Sequence, residues 1–273
     1  MQHFPILGLS EWRATRDSLH QYARINGAIR QSLAPARKHS WHLALRAAAT
    51  GITTGPLQLD GRTFSLSLDF ARHQQVVTAS DGGRVSFPLR GQSVTAFFGT
   101  TVKAMRTLDI RHRWLLPDWA DDEPGAYDPD AVARYWQVTT QVHAVLGRFQ
   151  SELREETSPV QLWPHHFDLA MNWFSGRRAP DTDLADAQDA DEQMTFGFST
   201  GDAAIDAPYF YVTAYPTPEA WLDSDLLTGA SWHREGWTGA VYRYADLIRD
   251  DDPMARLLEF FRATHASGSA LMQ

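Results

Sequence analysis

The order of predicted elements repeats in the two halves of the chain, and this repetition limits the folds open to it. Each half reads as an amphipathic helix, alternating strands and a closing helix. Residues 12–45 match residues 136–169 without a gap at seven of 34 positions, including a helix-ending proline and a histidine. The sequence therefore predicts an α+β fold of two similar helix–antiparallel sheet–helix halves, produced by an internal duplication.

A change in composition suggests where the halves divide. Residues 110–130 are rich in proline and acidic side chains and show no sustained period, which is typical of a linker. We expect an N-terminal α+β half at 1–110, a linker at 111–128 and a C-terminal α+β half at 129–273. The halves are expected to pack as one globular unit.

Local periodicity and turn residues predict the individual elements. In the first half these are a helix at 11–34 capped by Ser10, a strand at 40–47 with Trp41, Leu43 and Leu45 inward, a strand at 62–70, a hairpin around Asp81-Gly82-Gly83 and a helix at 94–108 capped by Ser93. In the second half they are a helix at 129–156, a strand over 161–178, an acidic loop at 179–193, strands in "MTFGFST" and "PYFYVTAYP", and a last helix that begins after Asp250–Asp252.

Composition excludes several classes of protein. The formal net charge of -8 argues against nucleic-acid binding, which needs a basic surface. No apolar run approaches the length of a membrane span, and the first residues lack a signal-peptide pattern, so we expect no membrane association. The chain has no cysteine, which removes disulfides and thiolate chemistry and fits a cytoplasmic location.

Several blocks together resemble a known family. The blocks are "SWHLALRAAATGITTGPL", "RTFSLSLDF", "LWPHHFDLAMNWFSGRRAP", "FGFSTGD" and "PYFYVTAYP". In this order they resemble a bacterial family called domain of unknown function 5996, and a block near "WHREGWTGAV" extends the resemblance over almost the whole chain. The resemblance implies no activity, cofactor or site residue.

The stretch "WPHHFD" contains the predicted catalytic pair. If residues 161–178 form one strand, His166 and Asp168 share a face while His165 lies with the tryptophans on the other. A carboxylate beside an imidazole can orient it as a general base. We therefore name His166 as the candidate base and Asp168 as its partner. The alternative is a structural ion pair on a solvated sheet face.

A second cluster lies in "SWHREGWTG". Trp232, His233, Glu235 and Trp237 crowd into a loop or strand edge, which is typical of a ligand-binding feature. The alternative is a hairpin whose tryptophans fold back onto the core. Together with His166 and Asp168, the cluster offers nitrogen and oxygen ligands for zinc, manganese or iron. No spacing of the HExxH kind is present, so no metal site is predicted.

Other candidates contribute to the same predicted pocket. Arg177 and Arg178 follow a predicted strand and suit a carboxylate or phosphate. Tyr211 is placed with Tyr209 and Tyr215 on one strand face, where it either lines a pocket or covers the sheet. The small-residue turns at 49–55 and 196–202 are hypothetical anion cradles. Neither is a nucleotide-binding motif, so the cofactor stays unknown.

The sequence thus favours binding of a small molecule in a pocket of the C-terminal half, with an anion among the candidates because of the two arginines. No reaction and no oligomeric state are predicted. The alternative is a non-catalytic structural or protein-interaction module that uses its aromatic face.

Overall fold

Antiparallel sheets flanked by helices make this an α+β protein, as predicted. A computed structural model describes residues 4–179 and 191–272, with only the backbone of Leu9 and Glu11. Over these residues there are five α-helices and two antiparallel sheets of six strands each. No described helix has the length and apolarity that crossing a membrane requires.

The chain divides into two compact units. Unit N comprises Ser10–Trp136 and Leu162–Phe167. Unit C comprises the described residues of Met1–Leu9, Gln137–Gln161 and Asp168–Gln273. The internal duplication and the division at 1–110, 111–128 and 129–273 stay predictions.

Unit N contains the first sheet. Its elements are α1 (Leu9–Leu33), a 3-10 turn (Lys38–Ser40), β1 (Arg46–Ala48), β2 (Gly51–Thr53), β3 (Leu57–Leu59), β4 (Arg62–Asp69), β5 (Gln74–Ala79), β6 (Arg84–Pro88) and α2 (Val94–Thr107). The strand order is β1-β2-β4-β5-β6, and β3 also pairs with β4.

The clean alternation of β4 gives the sheet its buried face. Phe64, Leu66 and Leu68 are at most 2% exposed, and the hydroxyl-bearing residues between them are half-buried, as predicted. The hairpin predicted around Asp81 joins β5 to β6. Ser93 caps α2, because its hydroxyl accepts the backbone N–H of Ala96.

The strand predicted at 40–47 is wrong over most of its length. His39 and Ser40 have φ values of 53° and 54°, so the backbone turns where an extended strand was expected. The side chains of His42 and Ala44 are buried while Trp41 is half-buried, which is the opposite of the predicted phase. The Ser10 cap is also wrong, since α1 already begins at Leu9.

Unit C contains most of the second sheet. The elements here are α3 (Pro129–Glu152), β7 (Gln161–Trp163), β8 (Asp168–Arg178), β9 (Asp191–Ser199), β10 (Tyr209–Tyr215), β11 (Ala230–His233), β12 (Gly239–Arg243), α4 (Tyr244–Leu247) and α5 (Pro253–Ser269). The strand order is β11-β12-β10-β9-β8-β7. The first residues of α3 belong to unit N, as do the last two residues of β7.

One face of this second sheet is apolar and packs on helices. The Phe149 ring on α3 lies 4.8 Å from that of Phe196 on β9 and 5.9 Å from that of Phe261 on α5. Asp252 caps α5, with Pro253 at its first position, as the sequence predicts. The opposite face is therefore the one left for polar side chains.

The single strand predicted over 161–178 is wrong, because a turn interrupts it. Residues 164–167 form this turn, and Phe167 has a φ of 56°, a left-handed conformation that cannot continue a strand. The structure also departs from the acidic loop predicted at 179–193, since β9 already begins at Asp191. Residues 180–190 of that loop lie outside the described residues.

Two glycine substitutions should change stability in opposite directions. A Cβ on Gly51 would lie 1.9 Å from the carbonyl oxygen of Leu68, so Gly51→Ala should lower the free energy of unfolding by about 1–3 kcal/mol. Gly99 lies within α2 with nothing within 4 Å of its added Cβ, so Gly99→Ala should raise it by roughly 0.5–1 kcal/mol. Urea unfolding of both variants measures this, and equal effects of one sign would contradict the described β2–β4 packing.

Candidate functional site

Polar side chains from three strands gather on the face of the unit C sheet opposite the phenylalanines. On β10, Tyr209 and Tyr211 lie on the side opposite the buried Phe210. Pairing places Tyr211 opposite Gly197 on β9, and Gly197 in turn opposite Ala170 on β8. The same face of β8 includes Asp168, two residues before Ala170. The predicted alternation of the tyrosine strand is confirmed.

A buried carboxylate and a phenol form the centre of this face. Asp168 is the first residue of β8 and is 6% exposed. The Tyr211 hydroxyl donates a hydrogen bond to its Oδ2. The Tyr211 ring reaches β8 across β9 because Gly197 has no side chain; a Cβ there would lie 2.4 Å from the ring carbon Cζ. Gly197 thus permits a side-chain contact between two strands that are not neighbours.

A second carboxylate–phenol pair lies beside the first. Asp202, in the loop after β9, accepts the hydroxyl of Tyr209 and the backbone N–H groups of Ala204 and Ile205. The ring centroids of Tyr209 and Tyr211 are 6.0 Å apart. In the predicted anion cradle at 196–202, the Gly201 N–H donates to Ser199 Oγ and the Asp202 N–H to the Ile205 carbonyl, so these amides are occupied within the loop.

Trp237 and His233 complete what we call the aromatic cluster, the side chains of Tyr209, Tyr211, His233 and Trp237. The Trp237 ring stacks on Tyr209 at 6.0 Å and meets Tyr211 edge-on at 6.2 Å. The His233 ring centroid lies 4.4 Å from that of Trp237. Tyr209 is buried and the other three side chains are half-buried.

Burial and the two carboxylates keep both phenols protonated. Burial is the largest cause that raises the pKa of Tyr211 well above its usual range, followed by the charge of Asp168 and its hydrogen bond. Burial and the hydrogen bond to Asp202 likewise raise the pKa of Tyr209. At neutral pH both phenols therefore stay protonated, and their hydroxyls donate to Asp168 and Asp202.

Buried amides extend the polar face along β8 and β9. Asn172 Nδ2 donates to Gln193 Oε1 and to Thr195 Oγ1, both at 2.9 Å. Asn172 is 7% exposed, and its Oδ1 has no hydrogen-bond donor among the described residues. A buried carbonyl oxygen without a donor is uncommon and favours a ligand or water at this position.

The predicted arginine clamp lies elsewhere. Arg177 Nη2 donates to Glu192 Oε1 at 2.5 Å. Arg178 lies opposite Asp191 in the register of β8 and β9. Arg177 is nine residues beyond Asp168 on β8, which at about 3.3 Å per residue is roughly 30 Å along the strand. Neither arginine contributes to the aromatic cluster.

The "SWHREGWTG" residues divide between two environments. His233 and Trp237 join the aromatic cluster, and His233 Nε2 hydrogen-bonds the backbone oxygen of Glu235 at 2.8 Å. The Glu235 side chain is exposed. Trp232 instead packs edge-on against the buried Trp221, with ring centroids 4.9 Å apart. The alternative of tryptophans folding onto the core describes Trp232, and Trp237 also packs against the buried Ile205, Tyr209 and Val241.

His166 and Asp168 do not share a strand face. Both histidines lie in the turn before β8 and belong to unit N, with exposed side chains and ring centroids 4.6 Å apart. Asp168 opens β8 in unit C and is bonded by Tyr211. The expected same-face geometry of this pair is therefore wrong, and a catalytic role for either residue stays a prediction. Over residues 4–179 and 191–272, no three His, Asp or Glu side chains gather to hold a metal.

Cavities in unit N have a different character. One of about 250 Å³ is lined mainly by apolar side chains, among them Ile25, Ile29 and Phe98. Another of about 160 Å³ includes Arg24, whose guanidinium lies 3.6 Å above the centre of the Trp119 ring. Neither lining includes a carboxylate, so neither repeats the chemistry of the aromatic cluster.

The sequence did not single out Asp202 or Asn172 as part of the site. Asp202 follows a glycine in a turn, where aspartate commonly accepts its own backbone N–H groups, so its contact with Tyr209 leaves no separate signal. Asn172 stands in an apolar strand. An amide within this apolar run was the one sign in the sequence that the strand has a polar face.

A family model described as "Family of unknown function (DUF5996)" matches residues 4–273. The chain belongs to this family. No curated protein and no solved structure matches it. The resemblance expected from the sequence blocks is thus confirmed over almost the entire chain.

Removal of the Tyr211 hydroxyl should destabilise the protein. Tyr211→Phe leaves the buried Asp168 carboxylate without this donor, so we expect a loss of about 1–3 kcal/mol in the free energy of unfolding at pH 7. Tyr215→Phe is the matched control, because Tyr215 is on the same strand and is 44% exposed. Urea denaturation compares the two, and an equal, small effect would contradict a buried Asp168–Tyr211 bond.

Stability should also fall in alkaline solution through these phenols. Unfolded tyrosines ionise near pH 10, whereas Tyr209 and Tyr211, whose pKa values are raised, keep their protons in the folded state. Above about pH 10 the unfolded chain then binds fewer protons, so the free energy of unfolding decreases as pH rises. Tyr211→Phe should make this decrease shallower in a series of urea titrations from about pH 9 to 11. An unchanged slope would refute the raised pKa of Tyr211.

Proposed function

We propose that the chain binds a small molecule with an organic cation, such as an ammonium or guanidinium group, at the aromatic cluster of unit C. The observation that supports this most is the arrangement of two carboxylates, Asp168 and Asp202, beside the phenols of Tyr211 and Tyr209. Aromatic faces and carboxylates both attract a cation, and here they lie together.

The charges around the phenols agree with a cationic ligand. Asp168 and Asp202 both raise the pKa of each tyrosine, and no cationic side chain is among the causes. Arg243 on β12 pairs with Tyr209 in register, so the two residues share a sheet face, and the Arg243 side chain is exposed. The two carboxylates hydrogen-bonded to the phenols outnumber this one exposed arginine, which favours a cation over an anion.

Hydrogen bonding favours a ligand that carries donors. Both aspartates of the cluster are hydrogen-bond acceptors. An ammonium or guanidinium group supplies N–H donors and positive charge at once. The anionic ligand considered from the sequence depended on Arg177 and Arg178, and Arg177 is paired with Glu192.

The burial of the cluster bears on the alternative of a protein-interaction face. A protein-binding surface needs a broad exposed apolar patch. Within the described residues, Tyr211, His233 and Trp237 are half-buried and Tyr209 is buried, which fits a small ligand at an edge better than a flat partner. No reaction follows from this geometry. Asp168 is the member of the predicted catalytic pair that lies at the cluster.

Binding of a simple cation tests the proposal. We expect tetramethylammonium and putrescine to change Trp237 fluorescence and to give a saturable signal in titration calorimetry, while tert-butanol, a neutral compound of similar shape, gives none. Asp168→Asn keeps an acceptor for Tyr211 but removes the charge, so it should weaken binding about tenfold, or roughly 1.4 kcal/mol.

Two tryptophan variants provide the control. Trp237→Leu should abolish binding, whereas Trp232→Leu, which alters the ring packed on Trp221, should leave it intact after correction for any loss of stability. The proposal fails if neither cation binds the wild-type protein, or if both variants bind equally. A protein that binds neither cation would favour the structural alternative.

A further inference from the structure

Unit N contains a long segment of one charge sign. Between Asp17 and Asp60 there is no aspartate or glutamate, while five lysines and arginines fall in that interval. The whole chain has a net charge of -8, so this segment departs sharply from its surroundings. A local excess of positive charge in an acidic protein suggests an anionic ligand.

Arg30 is the most unusual residue of this segment. It lies on α1, is 8% exposed and donates through Nη1 to the backbone oxygen of Thr54. Its Nε is buried with no acceptor among the described residues, and it forms no ion pair with a described carboxylate. Burial of a guanidinium without a counter-charge is costly unless a ligand supplies that charge.

Two more arginines belong to the same segment, Arg37 seven residues after Arg30 and Arg46 at the start of β1. Arg37 and Arg46 have exposed side chains, and their charges, together with burial as the largest cause, lower the pKa of Arg30. No carboxylate is among the charges that act on Arg30. The Arg46 side chain runs beside Gly55, with its Cδ 4.0 Å from where a Cβ on Gly55 would be. Arg46 therefore lies beside the turn at Thr54 and Gly55, whose Thr54 carbonyl oxygen accepts from Arg30.

We propose that Arg30, Arg37 and Arg46 form a binding site for a small multivalent oxyanion of the phosphate type. Guanidinium groups suit this class because their planar donors match the oxygens of a phosphoryl group. The three residues belong to α1, to the segment after it and to β1. An oxyanion beside them supplies the missing counter-charge and offsets their mutual repulsion.

The turn beside these arginines orients the Arg30 side chain and does not donate hydrogen bonds to the anion. In the predicted cradle at 49–55, the Thr54 N–H donates to the Leu66 carbonyl and the Gly55 N–H to Thr53 Oγ1. These amides are occupied, so the anion is held by side chains. The Thr54 carbonyl orients Arg30 by accepting its Nη1.

This site is independent of the aromatic cluster. It lies in unit N, has the opposite charge preference and shares no residue with the cluster. Loss of anion binding through a variant here leaves cation binding in unit C unchanged, and the two proposals succeed or fail separately.

Titration calorimetry with inorganic phosphate and pyrophosphate, in chloride buffers of matched ionic strength, tests the site. The wild-type protein should bind both, pyrophosphate more tightly, and each should raise its melting temperature above that in chloride. Arg37→Ala and Arg46→Ala change exposed side chains, so both variants should fold and bind pyrophosphate at least about tenfold more weakly.

Arg84→Ala is the matched control, because Arg84 is an exposed arginine of β6 outside the segment. It loses the same charge and should bind as the wild type does. Arg30→Lys keeps the charge but loses the planar donors, and it should bind pyrophosphate more weakly. The proposal is overturned if neither anion binds beyond the effect of chloride, or if Arg37→Ala and Arg46→Ala bind as tightly as Arg84→Ala.

Discussion

The hydrogen bond between Tyr211 and Asp168 is the constraint on which the polar side of unit C depends. It joins β10 to β8 across β9, and the missing side chain of Gly197 makes room for it. A slip of one residue between β9 and β10 would move Tyr211 to the apolar face among the phenylalanines. This bond is therefore tied to three other features, which are the register of the sheet, the position of Tyr209 and the packing of Trp237 on both tyrosine rings.

Much of the fold was predictable from the sequence because alternation and capping are local. The strand at Arg62–Asp69, the helix capped by Ser93 and the helix that starts at Pro253 all lie where their patterns predict. The two wrongly predicted strands fail where a residue other than glycine adopts a positive φ, at His39, Ser40 and Phe167. Side-chain alternation continues through these residues, so it does not reveal that the backbone turns there.

The candidate site was predictable in four of its members and not in its arrangement. Asp168, Tyr211, His233 and Trp237 were each named from the sequence. Their association depends on which strands are neighbours and in what register they pair. Local patterns do not give this pairing, since Asp168 and Tyr211 are 43 residues apart in the chain. The pairing of His166 with Asp168 rested on one continuous strand and failed when the turn divided it. The length of β8 explains why Arg177 lies far from the cluster.

The way the chain is shared between the units has a practical consequence for anyone who shortens it. The chain passes from one unit to the other after Leu9, after Trp136, after Gln161 and after Phe167. No single truncation releases either unit with all its segments. A fragment that stops in the proline-rich stretch at 111–128 lacks Leu162–Phe167, whose Leu162 pairs with Leu45. The two sites should therefore be tested separately by point substitutions in the whole chain, and not by expressing the two halves as separate fragments.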